Sequence, residues 1–283
     1  MAPDPVIPSN DATLVDGLSG ATLPVADRGL QYGDGVFETI AVLDGRPCLW
    51  ERHLARLREG CDRLGLPAPD PGVLAAEAQS LAAGCARAVL KVIVTRGDGG
   101  RGYRPPSPAV SRRILALAPW PAYPDAWRTE GVRVRWCATR LGHQPRLAGI
   151  KHLNRLEQVL ARAEWDDPEV PEGLMLDLDG HVVSGTQSNL VVLRRGTALT
   201  PPLDRCGIAG VVRALALETL RAAGIAVREA RLTREEVNDA DALFLTSALI
   251  GCWPVRELDG RALDPRALPP LLAARIVAGA FGP

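Results

Sequence analysis

Lys151, in the stretch Leu147-Ala-Gly-Ile-Lys-His-Leu-Asn-Arg-Leu-Glu157, is one of two lysines in the chain; the other is Lys91. Lys and Arg together number 33, so 31 of the basic side chains are arginine. Arginine is always charged and cannot serve as a nucleophilic amine, whereas a desolvated lysine can lose its proton and form a Schiff base. A lysine kept against such a bias is a candidate for amine chemistry. For Lys91, a chance or snorkelling strand residue stands as the alternative.

Four irregular, glycine-bearing segments could serve such an amine. They are Asp27-Arg-Gly-Leu-Gln-Tyr-Gly-Asp-Gly35, Arg96-Gly-Asp-Gly-Gly-Arg-Gly-Tyr103, Gly180 to Asn189, and Gly207-Ile-Ala-Gly210 at a helix start. Glycines let backbone approach a ligand, and helix N-termini attract anions through free N–H groups and the dipole. Singly, each is an ordinary turn. Together, around a candidate amine, they outline a site for a phosphate-bearing cofactor.

Composition narrows the function classes. The 283 residues carry no net charge and no basic stretch with interleaved aromatics, so nucleic-acid binding has no electrostatic footprint. The start, Met1-Ala-Pro-Asp-Pro, lacks the basic and apolar regions of a signal peptide, and no apolar run is long enough to span a bilayer. Six scattered cysteines, with no C-x-x-C pair, fit reduced thiols in a cytosol better than disulfides or zinc.

The elements that must position these residues follow from periodicity. Residues 1–12 are Pro-rich and expected to be irregular. Val36 to Leu43 reads as a strand turned by Asp44-Gly45 into a second one. Leu54, Leu57, Cys61 and Leu64 mark an amphipathic helix, and a second covers 71–83. Val89 to Thr95 reads as a buried strand, Arg112 to Ala118 as another. Beyond them, Gly131 to Cys137 alternates Val and Arg as a half-exposed strand. Asn154 to Trp165 predicts a helix with Leu156, Val159, Leu160 and Ala163 as its apolar face. Gly173–Asp177 and Val182–Val183 flank a hairpin turn, Asn189–Leu193 continues the sheet, Gly210–Ala223 is a helix, and Ala242–Thr246 is the last core strand. The mixture without strict alternation predicts an α/β (α+β) protein of two domains. They divide as a smaller one over 1–119, a linker over 120–124, and a larger one over 125–283 carrying Lys151.

Asp27-Arg28 through Gly33-Asp34-Gly35-Val36-Phe37-Glu38, Lys151-His-Leu-Asn154, and Gly180-x-Val182 to Ser188-Asn189-Leu190 resemble the class IV aminotransferase family. Its members use pyridoxal 5′-phosphate. Leu90 to Tyr103 and Arg140 to Leu160 are similar, nearly residue for residue, to the aminodeoxychorismate lyase branch. The resemblance spans about residues 14–255. It implies a two-domain fold type IV architecture, like that of D-amino acid aminotransferase, a homodimer, and a lyase yielding 4-aminobenzoate and pyruvate from 4-amino-4-deoxychorismate on the way to folate.

The resemblance also implies roles. Lys151 matches the Schiff-base lysine and general base. Arg56 matches the phosphate arginine, whose planar fork suits a bidentate contact. Ile208 and Ala209 would offer backbone N–H groups to the phosphate, and Thr246 or Ser247 a hydroxyl. Arg101 and Tyr103 would face a dicarboxylate substrate, with Arg96 anchoring their loop and Tyr32 lining the pocket. Asp34 and Glu38 are read as structural, His152 as orienting, and His53 as a helix-face residue. One position departs from the pattern: Ser184 stands where the family carries a glutamate against the pyridine nitrogen. A hydroxyl is a poor partner for a pyridinium, which disfavours transamination more than elimination. The alternatives are a D-amino acid or branched-chain aminotransferase, and a non-catalytic relative that Ser184 alone supports.

Overall fold

The computed structural model describes residues 12–282. Apart from Ala12, the irregular Pro-rich start expected over 1–12 lies outside the described residues. The chain forms two compact units. One runs to Ala122 and includes Ile150–Asn154; the other comprises Tyr123–Gly149 and Arg155–Gly282.

The first unit contains β1 (Thr13–Val15), β2 (Leu18–Ser19), α1 (Arg28–Tyr32), β3 (Gly35–Leu43), β4 (Arg46–Pro47), α2 (Trp50–Leu64), α3 (Pro71–Ala82), β5 (Arg87–Thr95) and β6 (Arg112–Ala118). Its six strands form one antiparallel sheet in the order β2-β1-β6-β5-β3-β4. Strand side chains alternate between faces. Val36, Ile40 and Val42 of β3 and Leu90, Val92 and Val94 of β5 therefore share one face, buried with Leu54, Leu57 and Cys61 of α2 and Leu74 and Ala78 of α3. The apolar run of β5 suggested burial on both faces. Instead Lys91 is exposed and Ile93 only half-buried, because both helices cover the same side.

The second unit contains α4 (Ala126–Thr129), β7 (Val132–Leu141), α5 (Leu156–Arg162), β8 (Glu172–Asp177), β9 (Val182–Gly185), β10 (Asn189–Arg194), β11 (Thr197–Thr200), α6 (Val211–Ala222), β12 (Ala226–Glu229), α7 (Arg234–Asn238), β13 (Ala242–Ser247), β14 (Gly251–Leu258), β15 (Arg261–Ala262) and α8 (Pro270–Phe281). Its mixed sheet runs β12-β11-β10-β13-β14-β7-β8-β9, with β15 on β14. The core gathers Val134, Leu174, Leu190, Leu243, Leu245 and Trp253. Tyr123 packs edge-on against Trp253, so part of the expected linker belongs to this unit. No helix of the described residues is long and apolar enough to cross a membrane.

Three expectations are corrected. The strand expected over Ala242–Thr246 is not the last of the core, since buried β14 follows it and pairs with both β13 and β7. Pro254 hid that strand, because proline within a run argues against a central one. The helix after Lys151 is shorter than expected, and Leu156, Val159 and Leu160 are exposed at 76%, 59% and 61%; Ala161 is its buried residue. The Lys151 segment groups with the first unit, because residues 151–153 pair with the start of β3.

Candidate active site

Lys151 is held by backbone. The N–H of Phe37 donates to Lys151 O at 2.9 Å, that of Leu153 donates to Gly35 O at 3.0 Å, and Val36 bridges His152 antiparallel. The segment is thus bridged to the start of β3. A side chain at Gly35 would clash, since its Cβ would lie 2.4 Å from Val94 O and 2.8 Å from Leu153 Cδ1. Lys151 is half-buried, with Nζ 4.4 Å from the centre of the Phe37 ring.

Behind the lysine, on the helix side of β3, Glu38 is buried. Arg56 donates through Nε to Glu38 Oε1 at 2.8 Å and through Nη2 to Oε2. His53 Nδ1 lies 2.7 Å from Glu38 Oε2. Burial alone would raise the Glu38 carboxyl; the charge and hydrogen bonds of Arg56, with help from His53, outweigh it and bring the pKa down to about 2. Burial lowers the His53 pKa despite Glu38, so the neutral ring donates through Nδ1 to the carboxylate, which only accepts. His53 is a buried partner, not the helix-face residue expected from the sequence. Arg56 commits to Glu38 the Nε–Nη2 fork that was expected to meet a phosphate.

Tyr32 and Tyr103 belong to a separate group around Arg28. Arg28 donates to Asp34 Oδ2 at 2.9 Å, Gly102 O at 3.1 Å and Tyr103 O at 2.9 Å, and lies 4.8 Å over the Tyr32 ring. Tyr32 and Tyr103 pack edge to face. Arg96 also grips Asp34, at 2.8 and 3.0 Å, and donates to Gly65 O and Leu64 O. It anchors the loop as expected. Burial would raise the Asp34 carboxyl, but the hydrogen bonds of Arg96 and Arg28 lower it. Arg101 and Tyr103 are exposed. That Arg28 ties the two glycine segments together was not legible from residue types or spacing.

In the second unit, Ser184 is buried on β9 and donates to Gly185 O at 2.8 Å. Glu172, unremarked in the sequence, holds the following turn by accepting from Thr186 N, Thr186 Oγ1 and Ser188 Oγ. Gly149 bridges Ile208, and Ala209 N–H donates to Gly149 O at 2.9 Å. That bond occupies the Ala209 N–H expected to meet phosphate and fixes the chain two residues ahead of Lys151. Asn189 Nδ2 donates to Ile208 O, and a Cβ on Gly210 would lie 2.1 Å from Asn189 Oδ1. The α6 N-terminus at Gly210 carries no side-chain cap. Thr246 stands opposite Asn189 in the sheet, hence on the same face. It is buried, and its Oγ1 has no hydrogen-bond partner among the described residues. Ser247 is half-buried beyond it. Of the two hydroxyls left open by the sequence, Thr246 is the buried one, and its Oγ1 is without a partner among the described residues.

Residues 35–258 match the family model for class IV amino-transferases. The chain belongs to the class IV aminotransferase family. Members similar to it include the aminodeoxychorismate lyase of Vibrio harveyi, 38% identical over 85% of this chain and 89% of that protein. The crystal structure of 4-amino-4-deoxychorismate lyase from Pseudomonas aeruginosa shares 50% identity over 93% of this chain and 98% of its own, with a TM-score of 0.87. A hypothetical aminotransferase from Mycobacterium tuberculosis in its pyridoxal-phosphate-bound form is 26% identical over 95% and 98%, with a TM-score of 0.82. The mixed α and β architecture of this chain is therefore that of the family's fold type IV.

Proposed function

We propose that the chain is a pyridoxal-phosphate-dependent carbon–oxygen lyase that converts 4-amino-4-deoxychorismate to 4-aminobenzoate and pyruvate, a step towards folate. The observation that carries this reading is the 50% identity with the Pseudomonas lyase across nearly the whole chain.

The residues present fit the cofactor. A buried hydroxyl without a partner and an uncapped helix start, joined through Asn189, suit a phosphate. In the second unit Thr246 and the α6 N-terminus would hold that phosphate; in the first, Lys151 would take the carbonyl end. When bound, the cofactor supplies an electron sink for charge developing at the amine-bearing carbon. Lys151, beside the apolar Phe37 ring, takes the proton from that carbon. The enolpyruvyl C–O bond then breaks, the ring becomes aromatic, and the departing enol is protonated to pyruvate. Ser184 would face the pyridine nitrogen; its one hydroxyl proton is donated to Gly185 O, and it offers no carboxylate to hold that nitrogen protonated. Purified protein loaded with pyridoxal phosphate should release 4-aminobenzoate, and Lys151→Ala should not. Robust half-transamination of D- or L-amino acids, without such release, would favour the aminotransferase reading.

The assembly in this proposal is a homodimer. The exposed Leu156, Val159 and Leu160 stripe on α5 supports it, being an apolar face that a second copy would cover. A cytoplasmic home agrees with six free cysteines, of which Cys61, Cys137 and Cys206 are pushed by burial up to about 12.

A further inference from the structure

The hairpin between β8 and β9 gathers donors that the proposed reaction does not use. Asp177 ends β8, and its side chain is 6% exposed. Its Oδ1 accepts from the N–H groups of Asp179 and His181, at 3.0 and 2.8 Å, which fixes the carboxylate in one orientation. Oδ2 faces His143, on the stretch that follows β7, with Nε2 3.1 Å away. That distance would suit a hydrogen bond. Nε2 is nevertheless buried and makes none among the described residues, so the oxygen lies off the axis of the ring nitrogen. His181 Nδ1, 3.7 Å from Oδ1, is likewise buried and makes no hydrogen bond among the described residues. Neither imidazole is spent on the carboxylate beside it. Burial would raise the Asp177 carboxyl, but the N–H of His181 and the neighbouring imidazoles hold it below its ordinary value, so it is ionised.

An imidazole and a carboxylate set side by side at 3.1 Å, and not end to end, have the spacing of two ligands on one cation. Bonds of about 2 Å at tetrahedral angles put ligand atoms about 3.4 Å apart. The third donor is Asp179, which has a carboxylate oxygen within 4.8 Å of both. Asp179 is exposed and bonded through Oδ2 to Arg205 at 2.5 Å, so it can turn inward at the cost of one surface ion pair. One imidazole and two carboxylates suit a divalent first-row cation, zinc foremost, with water at the remaining position. The donors come from two segments of the chain and include no cysteine, so no short motif announces them.

We propose that His143, Asp177 and Asp179 form a divalent-cation site that clamps the stretch following β7 to the β8–β9 hairpin. That stretch runs on through Gly149 to Lys151, and β9 carries Ser184, so a bound cation stiffens the chain leading to each. The inference does not depend on the lyase reading.

The test titrates zinc chloride into the full-length chain, freed of metal with a chelator, by isothermal calorimetry, and repeats the titration with Asp179→Asn, His143→Gln and Arg205→Ala. Wild type should bind one zinc per chain. Asp179→Asn and His143→Gln should each weaken binding by more than the about 10- to 100-fold that loss of a supporting group costs. Asp179→Asn changes an exposed side chain, so the test stands even if His143→Gln does not fold. Arg205→Ala should tighten binding by up to about fivefold, because it frees Asp179 from its ion pair. Zinc should raise the Tm of wild type and of Arg205→Ala, and leave that of the other two unchanged. A wild type that binds no zinc overturns the site. Equal binding in wild type, Asp179→Asn and His143→Gln also overturns it, by placing the ion on other donors such as the free thiols. Weaker binding in Arg205→Ala would remove Asp179 as a ligand and the three-donor site with it.

Discussion

Arg56 and Glu38 show what a residue type reveals and what it hides. The arginine is visible in the sequence as a candidate anion ligand. Its pairing with Glu38 is not, because a contact 18 positions apart depends on how α2 lies on β3. Glu38→Gln should destabilise the fold by about 3 kcal/mol near neutral pH, since it leaves Arg56 facing a neutral amide in a buried setting. The folded carboxyl titrates near 2, below its unfolded value near 4.5. Its contribution is therefore full above the unfolded pKa and is lost as pH falls through the folded one. Urea unfolding of wild type and variant should show a gap that closes towards pH 2; a gap constant with pH would place the effect elsewhere. Thr246 makes the opposite case. Thr246→Val keeps the volume and removes a hydroxyl without a partner. The apo protein should unfold no more easily than wild type, while affinity for pyridoxal phosphate falls by about tenfold. A loss of apo stability with unchanged affinity would mean that the hydroxyl serves the fold.

Element by element, legibility tracked how one-sided the packing is. The helix over Trp50–Leu64 was readable because its stripe of Leu54, Leu57 and Cys61 is the face it buries. The helix over Leu156–Arg162 carries an equally regular stripe and exposes it, since periodicity reports an apolar face without saying what covers it. The strand Gly251–Leu258 was missed because Pro254 gives no ladder donor, although the register slips between Val255 and Glu257, where strict pairing gives way. If the exposed stripe is the face that a second copy covers, Leu156→Glu with Leu160→Lys should halve the mass seen in sedimentation equilibrium and leave the far-ultraviolet circular dichroism unchanged. A wild type that sediments as a monomer would remove the homodimer from the proposal.

At the scale of the whole molecule, two-part organisation was readable from the break in periodicity near residue 120, but the place of the Lys151 segment was not. Ile150–Asn154 lies in the second half of the sequence and packs with the first unit, a long-range pairing that local pattern cannot carry. The composition, by contrast, makes a clean experiment possible. With two lysines in 283 residues, covalent capture of the cofactor by borohydride has two side-chain addresses besides the chain's own amino terminus. Both addresses meet the Phe37 ring, so their exposure differs more than their position. Lys91 is the exposed one, and accessibility alone would direct the label there. A chemically directed capture should choose the half-buried Lys151 instead, because the phosphate must be held while the carbonyl reacts. We expect one pyridoxyl group per chain on the peptide containing Lys151, reduced by excess inorganic phosphate, and Lys91 unmodified. Labelling that favours Lys91 and ignores phosphate would show reaction by exposure, and the assignment of Lys151 would fall with it.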